Sequence, residues 1–216
     1  MKKHIFIFVT LLMFMVSTAF ASDARYVLNS APLKPTLTNS KPCDDIIKDT
    51  LNRITNGSMS THDKVKACYD YLINTCSYGS NHSKAMSYEY VNGVLVKGDS
   101  YFEIDGFGNR RAYSMLKYHV GVCDDYSCAF AALVRRIGLN CYTIGGLTAR
   151  ASGGMTGHIW TVINVDGVEY VFDPQIDDNI AKGGNIGYYR FCKTYNELPG
   201  SYDDYKIYYS YFAPFN

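Results

Sequence analysis

The sequence predicts an α+β fold, a block of helices followed by an antiparallel sheet, on three observations. Apolar residues recur at helical spacing early in the chain, a stretch over residues 124–137 is apolar around most of its circumference, and from Cys141 onward short β-rich runs alternate with turn residues. No internal repeat, low-complexity tract or Gly-rich phosphate loop interrupts that order.

The chain opens on Met1, Lys2, Lys3 and His4, continues through an almost wholly apolar run over residues 5–20, and reaches a small-x-small end at Ala19-Phe20-Ala21. These are the three regions of a secretory signal peptide, with cleavage expected after Ala21, so a secreted or cell-envelope protein is expected. The alternative, an uncleaved membrane anchor, calls for a somewhat longer apolar run. Residues 22–42 carry Pro32, Pro35 and Pro42 among Ser, Thr, Asn and Lys and read as a flexible leader. Residues 43–216 are expected to fold as one domain around one core.

Within it, Ile46, Ile47, Leu51 and Ile54 mark a helix over residues 44–55, which Asn56-Gly57 stops. Ser60 or Thr61 caps a second helix with an apolar stripe of Val65, Cys68, Tyr69, Leu72 and Ile73, so Cys68 is expected to face the core. Residues 82–111 are rich in Tyr, Val and Gly, with turn pairs Asn92-Gly93 and Asp105-Gly106, and read as one or two hairpins. The helix after Cys123 includes Phe130, Ala131, Ala132, Leu133, Val134 and Ile137 and ends at Gly138; a helix apolar on most sides is a buried one. Asp124 and Asp125 fall in its first turn, where the helix dipole favours negative charge. Strand-like runs follow over residues 141–147, 157–165 and 168–172, then a Tyr-rich tail over residues 188–215.

With 21 Lys and Arg against 20 Asp and Glu, two of the lysines leaving with the signal, the chain is nearly neutral. Nucleic acid and anionic membranes both need clustered positive charge, so neither is an expected partner. Twenty tyrosines fit strand packing better than a ligand platform. All seven cysteines follow the signal and would meet an oxidising compartment; three bridges in any of fifteen connectivities are possible, and an odd count leaves at least one thiol unpaired.

Asp166-Gly167 between two β-rich runs marks a two-residue hairpin turn. Val165 then pairs with Val168, Trp160 falls opposite Asp173, and His158 lies one same-face step beyond. His158 and Asp173 become diagonal neighbours, close enough for an imidazole and a carboxylate to meet. Cys123 stands at the entry of the buried helix, where free backbone N–H groups favour a thiolate and can hold the oxyanion formed when it attacks an amide carbonyl. The plainer readings are a partly buried strand histidine, a turn-capping aspartate before Pro174 and half of a structural disulfide. A zinc site is the remaining rival, but Cys123 and Cys128 have poor metal-ligand spacing, with no second close pair. No metal or cofactor is expected.

The run Gly121-Val122-Cys123-Asp124-Asp125-Tyr126-Ser127, with Ala132-Leu133-Val134-Arg135 and Gly138-Leu139, resembles the nucleophile helix of the transglutaminase-like superfamily. Gly157-His158-Ile159-Trp160 and the run from Asp166-Gly167 through Phe172-Asp173-Pro174 resemble its histidine and aspartate blocks, in matching order and spacing. Asp63-Lys64-Val65-Lys66, Tyr71-Leu72-Ile73 and Ser77-Tyr78 extend the likeness upstream, so that it covers residues 63–177. The resemblance implies a papain-like core, with the nucleophile helix packed on an antiparallel sheet, Cys123 as nucleophile, His158 as general base and acid, and Asp173 orienting the imidazole. It implies acyl transfer from a peptide or glutamine amide to water or to an amine. Cys128, Cys141 and Asn140 depart from the family's usual residues, which bears on bridging and not on these three. The alternative is a binding or scaffold protein that keeps the fold without turnover.

Overall fold

The computed structural model describes residues 23–79, 88–91, 94–97, 104–207 and 212–215. The expected signal peptide lies outside the described residues. Helix α1 (Ala24–Ser30) starts where the Asp23 carboxylate accepts the Arg25 N–H at 2.9 Å, and it buries Val27 and Leu28. The segment expected to be a flexible leader is therefore docked. Its residues 31–40 run on to the end of the central helix, where the Lys34 and Thr36 N–H groups donate to the carbonyls of Gly138 and Arg135 at 2.7 and 3.1 Å. A helix of seven residues with two adjacent buried positions has no period to read, and these two bonds of the strap are long-range.

Helix α2 (Lys41–Ile54) begins three residues earlier than its apolar stripe suggests, because Pro42 suits a first turn that lacks N–H acceptors. Helix α3 (Thr61–Thr75) is capped by Ser60, whose hydroxyl accepts the Asp63 N–H at 3.2 Å, and Cys68 is fully buried. Strand β1 (Ser77–Tyr78) comes next. Strands β2 (Tyr88–Val91) and β3 (Val94–Lys97) pair antiparallel, with Val91 opposite Val94, which is the hairpin expected about Asn92-Gly93. The second turn pair behaves differently. Gly106 is the N-cap of helix α4 (Phe107–Tyr118), and strand β4 (Val120–Gly121) then lies parallel to β1.

Helix α5 (Cys123–Ile137) is the centre of the molecule, with every residue from Asp125 to Val134 buried, and Gly138 terminates it. Strands β5 (Cys141–Ala149), β6 (Met155–Val165) and β7 (Val168–Phe172) form a meander. Helix α6 (Pro174–Ala181), strand β8 (Phe191–Lys193), a short 3₁₀ turn over Tyr195–Glu197 and strand β9 (Tyr202–Ile207) complete the described elements. The five strands order as β8-β7-β6-β5-β9, antiparallel throughout. The Tyr-rich tail is thus split, one strand on each edge of the sheet.

One face of the sheet, with Cys141, Ile163, Val165, Tyr170 and Phe172, packs with α5 and the other helices into the main core. Phe130 of α5 stacks on Phe172 at 5.4 Å, and the Ser127 hydroxyl donates to the Ile159 carbonyl at 2.8 Å. The opposite face gathers Tyr142, Ile144, Trp160, Val162, Val171 and Tyr202 in a smaller cluster. Strand β9 closes on β5 at Gly146, where a Cβ would stand 2.8 Å from the backbone of Asp203 and Tyr205; glycine permits that approach. All seven cysteines are free, so the possible bridges are not made.

Candidate active site

The β6–β7 hairpin has the expected register: Val165 opposite Val168, and Thr161 opposite Phe172. Asp166 and Gly167 both have positive φ, 51° and 84°, as a two-residue turn matched to strand twist requires. The pairing ends at Phe172. Asp173 then leaves the strand to become the N-cap of α6, its Oδ1 accepting the Ile176 N–H at 3.1 Å, with Pro174 in the first turn. That helix was not expected from the sequence, because its signal is the same Asp-Pro pair that suggests a simple turn.

This exit swings the carboxylate toward the histidine. His158 Nε2 donates to Asp173 Oδ2 at 2.7 Å, and both side chains are almost fully buried. Burial by itself would lower the imidazole's pKa; the Asp173 charge and hydrogen bond, followed by those of Cys123, raise it to about 10. Burial would raise the carboxyl, yet the His158 charge and hydrogen bond, helped by Tyr202 and the Ile176 N–H, hold it below the usual carboxylate range. The two directions agree: the pair is built as imidazolium and carboxylate.

Cys123 begins α5 and is partly exposed, with its thiol 3.3 Å from Asp124 Oδ1 and near enough to the imidazole to help raise the imidazole's pKa. The other six cysteines are buried, and burial pushes the thiols of Cys43, Cys76 and Cys192 up to about 12 and those of Cys68, Cys128 and Cys141 further. Exposure, rather than exclusion from bridges, separates Cys123 from the rest. Trp160 stacks against His158, with ring centroids 6.0 Å apart and planes 19° apart, and its own Nε1 donates to the Tyr195 hydroxyl at 3.1 Å.

Tyr202 is a member of the cluster that the sequence did not signal. Its hydroxyl donates to Asp173 Oδ2 at 2.8 Å, so this oxygen receives two hydrogen bonds, and its ring packs on Trp160 at 4.5 Å. Burial and the neighbouring Asp173 charge keep the phenol protonated and therefore a donor. Nothing in a tail of many tyrosines marks one of them; its partner stands 29 residues away in the chain.

Asp125 lies in the first turn of α5, as expected, and is fully buried there, with Oδ2 accepting the Val122 N–H at 2.9 Å and both oxygens within 3.4 Å of Arg111 Nη1. Among the described residues no group of three or more His, Cys, Asp or Glu is arranged to hold a metal, and no helix is long and apolar enough to cross a membrane.

Fold and site together define an α+β protein with a thiol, an imidazole and a carboxylate gathered where a buried helix meets an antiparallel sheet. The profile of the transglutaminase-like superfamily matches residues 48–174, and the chain belongs to that superfamily. The Bacillus subtilis (strain 168) protein YebA, itself uncharacterised, is 30% identical over 115 residues, which are 52% of this chain and 13% of that protein. A crystal structure from Cytophaga hutchinsonii, provisionally described as a cysteine protease, aligns with 90% of this chain and 62% of its own at 14% identity and a TM-score of 0.45. The structure of a TGase aligns with 74% of this chain and 35% of its own at 18% identity and a TM-score of 0.37.

Proposed function

We propose that the protein is an exported thiol enzyme that transfers an acyl group from a peptide or glutamine amide. The observation that carries this reading is the buried His158–Asp173 pair at 2.7 Å, with the partly exposed Cys123 thiol acting on the same imidazole. In this reading the Cys123 thiolate attacks the amide carbonyl carbon, and the N–H groups that the first turn of α5 leaves without intrahelical acceptors receive the oxyanion. The imidazolium of His158 gives its proton to the leaving amine nitrogen as the C–N bond breaks, which leaves a thioester on Cys123. Water or a second amine then attacks the thioester, His158 takes up the proton of that nucleophile, and the thiolate departs. Asp173 holds the imidazole and stabilises its cation without bonding to substrate.

Hydrolysis is favoured slightly over cross-linking as the outcome, with a protein or peptide of the cell envelope as the substrate. The test is incubation of the protein without its signal segment with a mixed peptide library and a primary-amine tracer, read by mass spectrometry. Cleaved or deamidated peptides support hydrolysis, and tracer incorporation supports transfer. A protein that yields neither, and whose Cys123 reacts with iodoacetamide no faster than a simple thiol at pH 6.5, is a binding protein on this fold.

A further inference from the structure

A buried carboxylate two residues after the nucleophile is a costly feature. Unless it is well paired, burial drives a carboxylate to protonate or to open a path to water. Asp125 has 0% exposure and Arg111 has 7%. The carboxylate holds the Val122 N–H, which fixes the backbone immediately before Cys123. Arg111 comes from another helix, α4, to meet it at 3.3 and 3.4 Å, and its second nitrogen lies 3.8 Å from Asp124. Its guanidinium also lies over the Phe107 ring, 5.0 Å from the centroid. The space is shaped for this carboxylate as well: a Cβ on Gly121 would stand 2.5 Å from Asp125 Cβ and 2.8 Å from Oδ2.

We propose that Arg111 and Asp125 are a positioning pair for Cys123, the carboxylate pinning the entry of α5 and the guanidinium offsetting its charge so that a thiolate can form beside it. The proposal rests on the reading of Cys123 as nucleophile. Asp125 touches no reacting atom; it acts through the Val122 backbone and the local field. Burial pushes its carboxyl up to about 6, against Arg111 and the Val122 N–H, which pull it down, so the carboxylate depends on Arg111 to stay ionised. The charged and titratable groups about the pair and the thiol are Asp124 and Cys128 on α5, Arg111 on α4, Cys43 on α2, Tyr78 on β1, His158 on β6 and Asp173 at the start of α6.

The two ends of such a pair must act with opposite sign on the thiol. The experiment measures the rate at which iodoacetamide alkylates Cys123 at pH 6.5, located by peptide mapping, in the wild type, Arg111→Met, Asp125→Asn and the double variant, with melting temperature alongside. Arg111→Met should slow alkylation by about tenfold, since it removes the cation beside Asp124, whose carboxylate lies 3.3 Å from the thiol. Asp125→Asn should quicken alkylation while lowering turnover, because the amide keeps the volume but leaves the guanidinium unbalanced and the helix entry less firmly held. The double variant should return to within about threefold of the wild-type rate, as coupled charges do. If Arg111→Met does not fold, Asp125→Asn carries the test alone. Single variants that lower the melting temperature but leave the alkylation rate unchanged, or that move it in the same direction, overturn the proposal and leave the pair a fold element. A wild-type Cys123 no more reactive than a simple thiol overturns the enzyme reading and this pair with it.

Discussion

Replacing Asp173 with Asn separates the two tasks that this side chain performs. Oδ2 accepts from His158 at 2.7 Å and from Tyr202 at 2.8 Å, while Oδ1 caps α6 by accepting from Ile176 at 3.1 Å. An amide has one oxygen for these three donors. If the oxygen faces His158 and Tyr202, the NH2 group meets the Ile176 N–H donor to donor, and the lost cap costs about 1 kcal/mol. If the amide turns over, the cap survives, but His158 Nε2 must then accept a hydrogen bond, and the ring proton moves to the other nitrogen, the base of the proposed reaction. Either way the charge that stabilises the imidazolium is gone. A hydrogen bond to a charged group contributes about 1.5–3 kcal/mol, so turnover should fall at least about 10–100-fold in the first geometry. It should fall toward about 10⁴-fold in the second, the order that a triad loses when its orienting aspartate becomes asparagine. Cys123→Ala should abolish turnover altogether, and both variants should fold. The assay is turnover per folded molecule and melting temperature on the same Asp173→Asn preparation, with a decrease of only a few degrees expected for the lost cap. A lowered melting temperature with turnover intact would refute this reasoning, making Asp173 a helix cap and reducing the site to a Cys-His dyad.

Tyr202→Phe removes one of the two donors to Asp173 Oδ2 and should cut turnover about tenfold and cost about 1.5–3 kcal/mol of stability, while the carboxylate keeps His158 and Ile176; wild-type turnover would place Tyr202 outside the site. Trp160→Phe should keep most activity, whereas Trp160→Ala opens a cavity beside His158 and should cost about 3–5 kcal/mol of stability together with most turnover; equal, negligible effects would mean that the stack does not support the histidine. The pH dependence arises from His158, whose pKa in the folded chain, about 10, lies above its ordinary value near 6.5. The stability it contributes is complete below that ordinary value and is lost as pH rises through about 10, so the melting temperature should decline across this window and turnover should drop at its upper end. Asp173→Asn should flatten the decline, and an unchanged slope in that variant would assign it to other groups.

Much of the site is local and therefore legible. Asp166-Gly167 determines a two-residue turn, the turn determines the register, and the register puts His158 and Asp173 within reach of each other. The apolar circumference of residues 124–137 likewise determines a buried helix with Cys123 at its entry. These are properties of backbone geometry over a few residues, and a sequence carries them in its spacing.

The tertiary structure alone decided the rest. Asp-Pro and Asp-Gly pairs mark a change of chain direction without specifying the next element, so Asp173-Pro174 opens a helix where a turn was expected, and Gly106 caps α4 where a hairpin was expected. The polar segment before α2 has no period, and it is the bonds to the far end of α5 that dock it. Tyr202 and Arg111 reach the site from β9 and α4, and their roles depend on side chains that meet across 29 and 14 residues of chain. The state of Asp125 depends on burial, which no residue reports about itself: the same carboxylate at the same helical position is a solvated dipole partner in water and a paired charge, with its carboxyl raised to about 6, inside the core.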